Sequence, residues 1–126
     1  MSRRITIVGG GLAGAEAAWQ AARLGVGVDL FEMRPQVMTE AHQGGQLAEM
    51  VCSNSLGAED VTSASGLLKR ELRRLDSLFL RHADAARVPA GGSLAGDRRH
   101  LAAGLTAELE SRPGVRLVRN EVRELP

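Results

Sequence analysis

An α/β chain built on a parallel, Rossmann-like sheet of the FAD/NAD(P)-binding kind, incomplete within these residues, is the architecture that residues 4–32 predict. Three observations predict it. Ile5, Ile7 and Val8 form an apolar run; a G-x-G-x-x-G turn follows at once with Gly9, Gly11 and Gly14; and a second apolar run starting at Val26 ends in an acid, Glu32. A glycine triplet alone is weak. With a strand before it, a small-residue helix after it and a carboxylate closing the next strand, it becomes specific.

Each part of this unit has its own mechanical reason. Gly9 lets the chain turn sharply, and Gly11 removes the Cβ that would keep a pyrophosphate away from the backbone. Gly14 lets the helix lie close to the strands, and Ala13, Ala17, Ala18 and Ala21 continue that low-relief surface. The helix N-terminus turns free N–H groups and a positive dipole end toward an anion. Gly25 after Leu24 reads as the helix C-cap. Glu32 is placed to accept hydrogen bonds from a ribose diol; a 2′-phosphate would meet its carboxylate, which disfavours NADP there, and Arg34 weakens that exclusion.

From Met33 to about Ser65 periodicity is lost, with Pro35, Gly44, Gly45 and Gly57 as breakers, yet Val37, Met38, Leu47, Met50, Val51 and Leu56 are too apolar for plain disorder. A helix is expected over 66–81, because Leu68, Leu72, Leu75 and Phe79 make one stripe at helical spacing. Lys69, Arg70, Arg73 and Arg74 take much of its other surface, as a solvated face or an anion- or RNA-facing stripe. Val88 to Ser93 reads as a turn-rich connection. Asp97 is a candidate N-cap for a further helix carrying Leu101, Leu105 and Leu109; Pro113-Gly114 stops it, and Val115 to Val118 reads as a short buried strand. The expected organisation is a first βαβ unit (1–33), an irregular and helical insertion (34–95) and a returning helix and strand (96–126). Three parallel-type strands are fewer than such a sheet usually has, so an N-terminal portion of a longer protein is expected.

The chain has 126 residues, a formal net charge of +1 and one cysteine, Cys52. That balance makes no case for nucleic acid by itself. With no tyrosine and only Trp19, Phe31 and Phe79 aromatic, a base-stacking surface is not available here. A lone cysteine excludes a disulfide framework, and the absence of a signal-like start or a long apolar run gives the expectation of a soluble cytoplasmic protein. His42, His82 and His100 show no metal-ligand spacing, so no metal site is expected. Cys52, in Val51-Cys-Ser-Asn-Ser-Leu56, is open to two readings: a small buried apolar residue, or a nucleophile in a loop shaped by Ser53, Asn54 and Ser55.

Five stretches occur in order: Gly9 to Ala18, Phe31-Glu-Met-Arg-Pro35, Ala48-Glu-Met-Val-Cys-Ser-Asn-Ser-Leu56, Gly66-Leu-Leu-Lys69, and Val88-Pro-Ala-Gly-Gly92 with Asp97-Arg98. Together they closely resemble the N-terminal part of the folate- and FAD-dependent tRNA (uracil-5-)-methyltransferases, the TrmFO family. The sister family of tRNA wobble-uridine flavoenzymes, MnmG/GidA, shares the glycine turn but not the Glu-Met-Arg-Pro and Cys-Ser-Asn-Ser-Leu elements. The resemblance implies methylation of the T-loop uridine of tRNA at C5, with 5,10-methylenetetrahydrofolate as carbon donor and NAD(P)H as reductant through FAD. It also implies that Gly9, Gly10, Gly11, Leu12, Ala13 and Gly14 hold the FAD pyrophosphate, that Glu32 and Arg34 serve its adenosine end, and that Cys52 is catalytic near the flavin. Glu40, Leu47, Gly96 and Leu101 depart from the family pattern. The tRNA-binding insertion and a second functional cysteine would lie beyond Pro126. A wobble-uridine enzyme and a non-catalytic ADP- or FAD-binding module are the alternatives.

Overall fold

The computed structural model describes residues 3–126. β1 (Arg4–Val8), α1 (Leu12–Arg23) and β2 (Gly27–Phe31) form the expected first unit, with β1 and β2 parallel and Ile7 opposite Leu30. Gly25 takes a positive φ of 78° just past the end of α1. Its N–H donates to Ala22 and that of Val26 to Ala21, so the last carbonyls of the helix are satisfied before the chain enters β2.

The chain then leaves this sheet. β3 (Ser55–Ala58), α2 (Ala64–Arg74), α3 (Leu78–Ala85), β4 (Arg87–Val88) and β5 (Ser93–Gly96) follow, and the three strands make a separate antiparallel sheet in the order β3-β5-β4. α4 (Arg98–Ser111) and β6 (Val115–Val118) return to the first sheet, where β6 lies parallel to β2 and completes the order β1-β2-β6. Asp97 caps α4 as expected, accepting from the N–H groups of Arg99 and His100.

The main core gathers α1, β2, α3 and α4: Ala15, Ala18, Val28, Leu30, Leu47, Leu78, Leu105 and Leu109 are buried together. β2 lies in the middle and its Val28 and Leu30 are fully covered. On the strand face away from Val28 and Leu30, Asp29 pairs with Arg4 of β1 at 2.6 Å and Arg116 of β6 at 2.9 Å, a charge stitch across all three strands. β1 pairs on one side only among the described residues, leaving Ile5 and Val8 exposed.

The continuous helix expected over 66–81 is two helices. Asp76 sits at φ 55° and Ser77 caps α3 through a hydrogen bond from the N–H of Leu80, so the chain breaks between Arg74 and Leu78. The reason lies in local chemistry. Aspartate tolerates the left-handed region better than most residues, and a serine before Leu-Phe-Leu is a strong helix start. The apolar stripe was misleading too: Leu68 and Leu75 are exposed, whereas Gly66 and Lys69 form the buried face of α2. Within 33–65, β3 is the strand that a purely irregular segment did not anticipate.

A carboxylate hub fastens this second region. Glu59 accepts from both Arg87 and Arg73, and Asp84 accepts from the same two arginines. The hydrogen bond from Arg87, against the cost of burial and with help from Arg73, holds the Glu59 carboxyl at about 2. Its folded value is depressed, so the stabilisation is complete above the ordinary value of 4.5 and is lost as pH falls from there toward 2. In Glu59→Gln the stability profile between pH 5 and 2.5 should flatten relative to the parent, read as urea midpoints; an unchanged acid slope would remove Glu59 from this role.

Candidate functional site

The glycine turn is built to leave space on one side and none on the other. Gly9 adopts φ 101°, and its N–H donates to Phe31 at 2.7 Å, tying the turn to the end of β2. A Cβ on Gly14 would lie 1.8 Å from the Gly9 carbonyl oxygen, so only glycine permits this contact of α1 with the turn. A Cβ on Gly11 would meet nothing within 4 Å. Gly11 is also the N-cap of α1; the cap makes no side-chain hydrogen bond, and no acidic residue stands in the first turn. The result is an open cradle at a helix N-terminus, presenting the amide end of Leu12, Ala13 and Gly14, a place suited to a diphosphate.

Gly10 has a different duty from its neighbours. A Cβ there would press on Leu47 at 2.4 Å and on the Glu32 carboxylate at 3.0 Å. Its N–H donates to Glu32 Oε2 at 2.8 Å, and its carbonyl accepts from Ala48 at 2.8 Å. The middle glycine is therefore roofed by the 44–49 segment.

Glu32, directly after β2, faces the turn, as the sequence predicts, but it is 5% exposed and its carboxylate already accepts three N–H groups. Oε1 accepts from the Arg34 backbone and Nε, each at 2.9 Å. A carboxylate has about four acceptor positions, so Oε2 retains one beyond the Gly10 bond. Burial works to raise this carboxyl; the hydrogen bonds from Arg34 and Gly10 outweigh it and hold the group below its ordinary value.

The Arg34 side chain is turned inward, against Glu32 and the following loop. It is 2% exposed, with its guanidinium shared among Glu32, Glu49 at 2.8 Å and the Gly44 carbonyl at 3.1 Å. Two carboxylates competing for one cation draw it inward, where it braces Glu32 and the loop. Arg119, just past β6, adds a second clamp by donating to the carbonyls of Arg34 and Gly45. Leu47 is fully buried, and its N–H donates to the Thr106 hydroxyl of α4 at 2.8 Å. Glu49, Thr106 and Arg119 escaped the sequence reading because they lie in different segments, and no spacing connects them.

Past this brace the chain rises to the surface. Cys52 is free and exposed, so the reading of it as a small buried residue does not hold. The 41–51 segment and the start of α4 line a cleft of about 640 Å³, with Gln43, Gln46 and Glu49 on one wall and Asp97, Arg98 and Arg99 on the other. Arg98 reaches across to the Met50 carbonyl at 3.3 Å. Among the described residues no group of three or more His, Cys, Asp or Glu side chains could hold a metal ion, and no helix is long and apolar enough to cross a membrane.

Relatives of known name match nearly the whole chain. It is 59% identical over 122 residues to the methylenetetrahydrofolate–tRNA-(uracil-5-)-methyltransferase TrmFO of Symbiobacterium thermophilum, covering 97% of this chain and 27% of that protein. The proteins of the same name from Moorella thermoacetica and Thermus thermophilus are 55% and 56% identical, over 100% and 98% of this chain and 29% and 28% of their own lengths. The chain thus spans less than a third of these curated relatives. Among solved structures, GidA of Aquifex aeolicus superposes with a TM-score of 0.71 at 19% identity, covering 93% of this chain and 19% of that one. Thermovibrio ammonificans THI4 gives 0.52 at 18% identity, covering 93% and 37%. At such identities the likeness shows the fold alone, a Rossmann-like parallel α/β arrangement. Residues 4–126 match the family described as glucose inhibited division protein A, and the chain belongs to that family.

Proposed function

We propose that this chain carries the dinucleotide cradle and a reactive cysteine of an FAD- and folate-dependent tRNA (uracil-5-)-methyltransferase. The supporting observation is a physical link: the loop displaying Cys52 is hydrogen-bonded through Ala48 to Gly10 of the glycine turn, so cradle and thiol are held in one unit. Identities of 54–59% to relatives bearing that name favour this reading over a wobble-uridine enzyme, because the GidA structure is only 19% identical. A purely nucleotide-holding module has no use for an exposed thiol loop braced to the cradle.

In this reading Gly9 to Gly14 hold the diphosphate of FAD: Gly11 leaves room for it, and the amides of Leu12, Ala13 and Gly14 face its charge. The remaining acceptor position on Glu32 Oε2 takes a ribose hydroxyl, while Arg34 keeps that carboxylate ionised and oriented. The flavin would supply the redox chemistry that turns a one-carbon unit from 5,10-methylenetetrahydrofolate into a methyl group, with NAD(P)H as reductant. Cys52 contributes a thiol able to act as nucleophile once deprotonated. The tRNA uridine and the folate are substrates, reached through regions outside these residues, in a cytoplasmic enzyme.

Two substitutions in the complete gene product test the assignment. Gly11→Asp should abolish flavin retention, because its carboxylate would occupy the diphosphate cradle, and Gly11→Ala should fold normally; an unchanged flavin spectrum in Gly11→Asp removes the cradle from cofactor binding. Cys52→Ala should keep its flavin yet lose most methyl transfer to tRNA, assayed with methylenetetrahydrofolate and reductant. Transfer at the parental rate would return Cys52 to a structural part.

A further inference from the structure

Lys69 is the only lysine in the chain, every other strongly basic side chain being arginine. It is 5% exposed on α2, an unusual place for an ammonium. Burial is costly for such a group unless its hydrogens are satisfied. Here they are: Nζ donates to the Ala58 carbonyl at 2.9 Å, to the Ser65 hydroxyl at 2.5 Å and to the Ser65 carbonyl at 3.3 Å. No carboxylate among the described residues lies within ion-pair distance of it. Three oxygens around one compact cation is a lysine geometry; the flat fork of arginine does not reproduce it.

The acceptors belong to two different elements. Ala58 ends β3, and Ser65 lies in the first turn of α2, so one ammonium fastens strand to helix. Gly57, immediately before Ala58, has φ 83°, and a Cβ there would come to 3.0 Å of the Ser65 hydroxyl oxygen and 3.8 Å of Nζ. The backbone is thus shaped around the clamp. β3 is the stretch that directly follows the Cys52 loop. Upstream, that loop is fixed by the Leu47–Thr106 and Arg34–Glu49 bonds; downstream, by the Asn54 carbonyl accepting from Gly96, by β3 pairing with β5 and by Lys69. A short exposed span carrying the thiol is therefore held at both ends by buried contacts.

We propose that Lys69 is a positioning residue for Cys52: its ammonium, gripping Ala58 and Ser65, sets where the strand leaving the thiol loop can lie. The inference rests on reading Cys52 as the reacting group, but its test needs neither flavin nor tRNA. Burial lowers the affinity of Lys69 for its proton, the attraction of Glu59 opposes this and the repulsion of Arg73 adds to it. The clamp should therefore open at alkaline pH.

The experiment follows alkylation of Cys52 by iodoacetamide, read on the peptide that carries it by mass spectrometry, from pH 7 to 11 in the complete gene product and in its Lys69→Met, Lys69→Arg and Ser65→Ala variants. The parental rate should rise with thiolate formation, level off, then step again several-fold as Lys69 loses its proton. Lys69→Met should show a several-fold altered plateau and no second step, Lys69→Arg should fail to restore the parental plateau, and Ser65→Ala should shift the step to lower pH. Amide exchange in α1 and β2 should stay at parental values, separating a local release from general loosening. A parent without the second step, or a folded Lys69→Met with the parental plateau, overturns the proposal. Should Lys69→Met not fold, the parental profile and Ser65→Ala decide. If the thiol responds as expected while Cys52→Ala still methylates tRNA, the clamp stands and the catalytic reading of Cys52 fails.

Discussion

Gly14→Ala should destabilise the chain by about 3 kcal/mol or more, at the upper end of what an added methyl costs in a packed interior. The new Cβ would lie 1.8 Å from the Gly9 carbonyl oxygen and 3.0 Å from its carbon, and both are backbone atoms that no rotamer change can move aside. Only displacement of α1 from the turn relieves the clash, and α1 contributes Ala15, Ala18 and Trp19 to the main core. Against a typical domain stability of about 5–15 kcal/mol, a loss of that size is large. Urea unfolding followed by far-ultraviolet circular dichroism measures it. Gly11→Ala serves as the control, because its Cβ meets open space and its φ of −74° suits any residue. A Gly14→Ala midpoint equal to that of the control would show that the helix does not approach the turn this closely. In the flavin-bound protein the same variant should also lose cofactor, since the amides of the first turn move with the helix.

The second large effect is expected from Arg34→Met. The guanidinium is 2% exposed and stands between Glu32 and Glu49, so removing it leaves one fully buried carboxylate and one partly buried one without their cation. Breaking a buried pair from one side costs about 3–5 kcal/mol. The pH dependence identifies the cause. In the parent, hydrogen bonds hold the Glu32 carboxyl below its ordinary value, so it adds stability above 4.5 and loses it as pH falls through the folded value. Without the guanidinium, burial is opposed only by the N–H groups of residue 34 and Gly10, so the folded value should rise from its parental level and the ionised carboxylate should contribute less stability at neutral pH. The gap between parent and variant should therefore be widest near pH 7 and narrow toward pH 4, read as urea midpoints. Glu32→Gln added to Arg34→Met should recover part of the loss. A gap constant with pH would assign the effect to lost side-chain packing.

The sequence reading was strong where one segment contains its own explanation. Strand, glycine turn, helix and acid in residues 4–32 follow each other without a break, and Asp97 with Leu101, Leu105 and Leu109 announces α4 just as locally. It was weak where partners come from far apart. Nothing in the spacing of Arg34 and Glu49 announces a buried ion pair, nor does Leu47 announce the hydroxyl of Thr106. The stripe of Leu68, Leu72, Leu75 and Phe79 matched helical spacing, but Asp76 and Ser77 broke it; Phe79 still packs against the core, beside Leu78, Leu80 and Ala83, while Leu68 and Leu75 are exposed. For Cys52 the sequence supplied the residue and a shaped loop, while its exposure and the bracing of both ends emerged only from the fold.

The unpaired margin of β1 has a consequence for handling the protein. Among the described residues no strand pairs with that edge, which runs beside the exposed side chains of Ile5 and Val8, a combination that invites another chain to add itself as a strand. The seam that would let a sheet grow within one molecule can equally zip two molecules together. In these 126 residues alone, that edge is where strand addition between copies would begin.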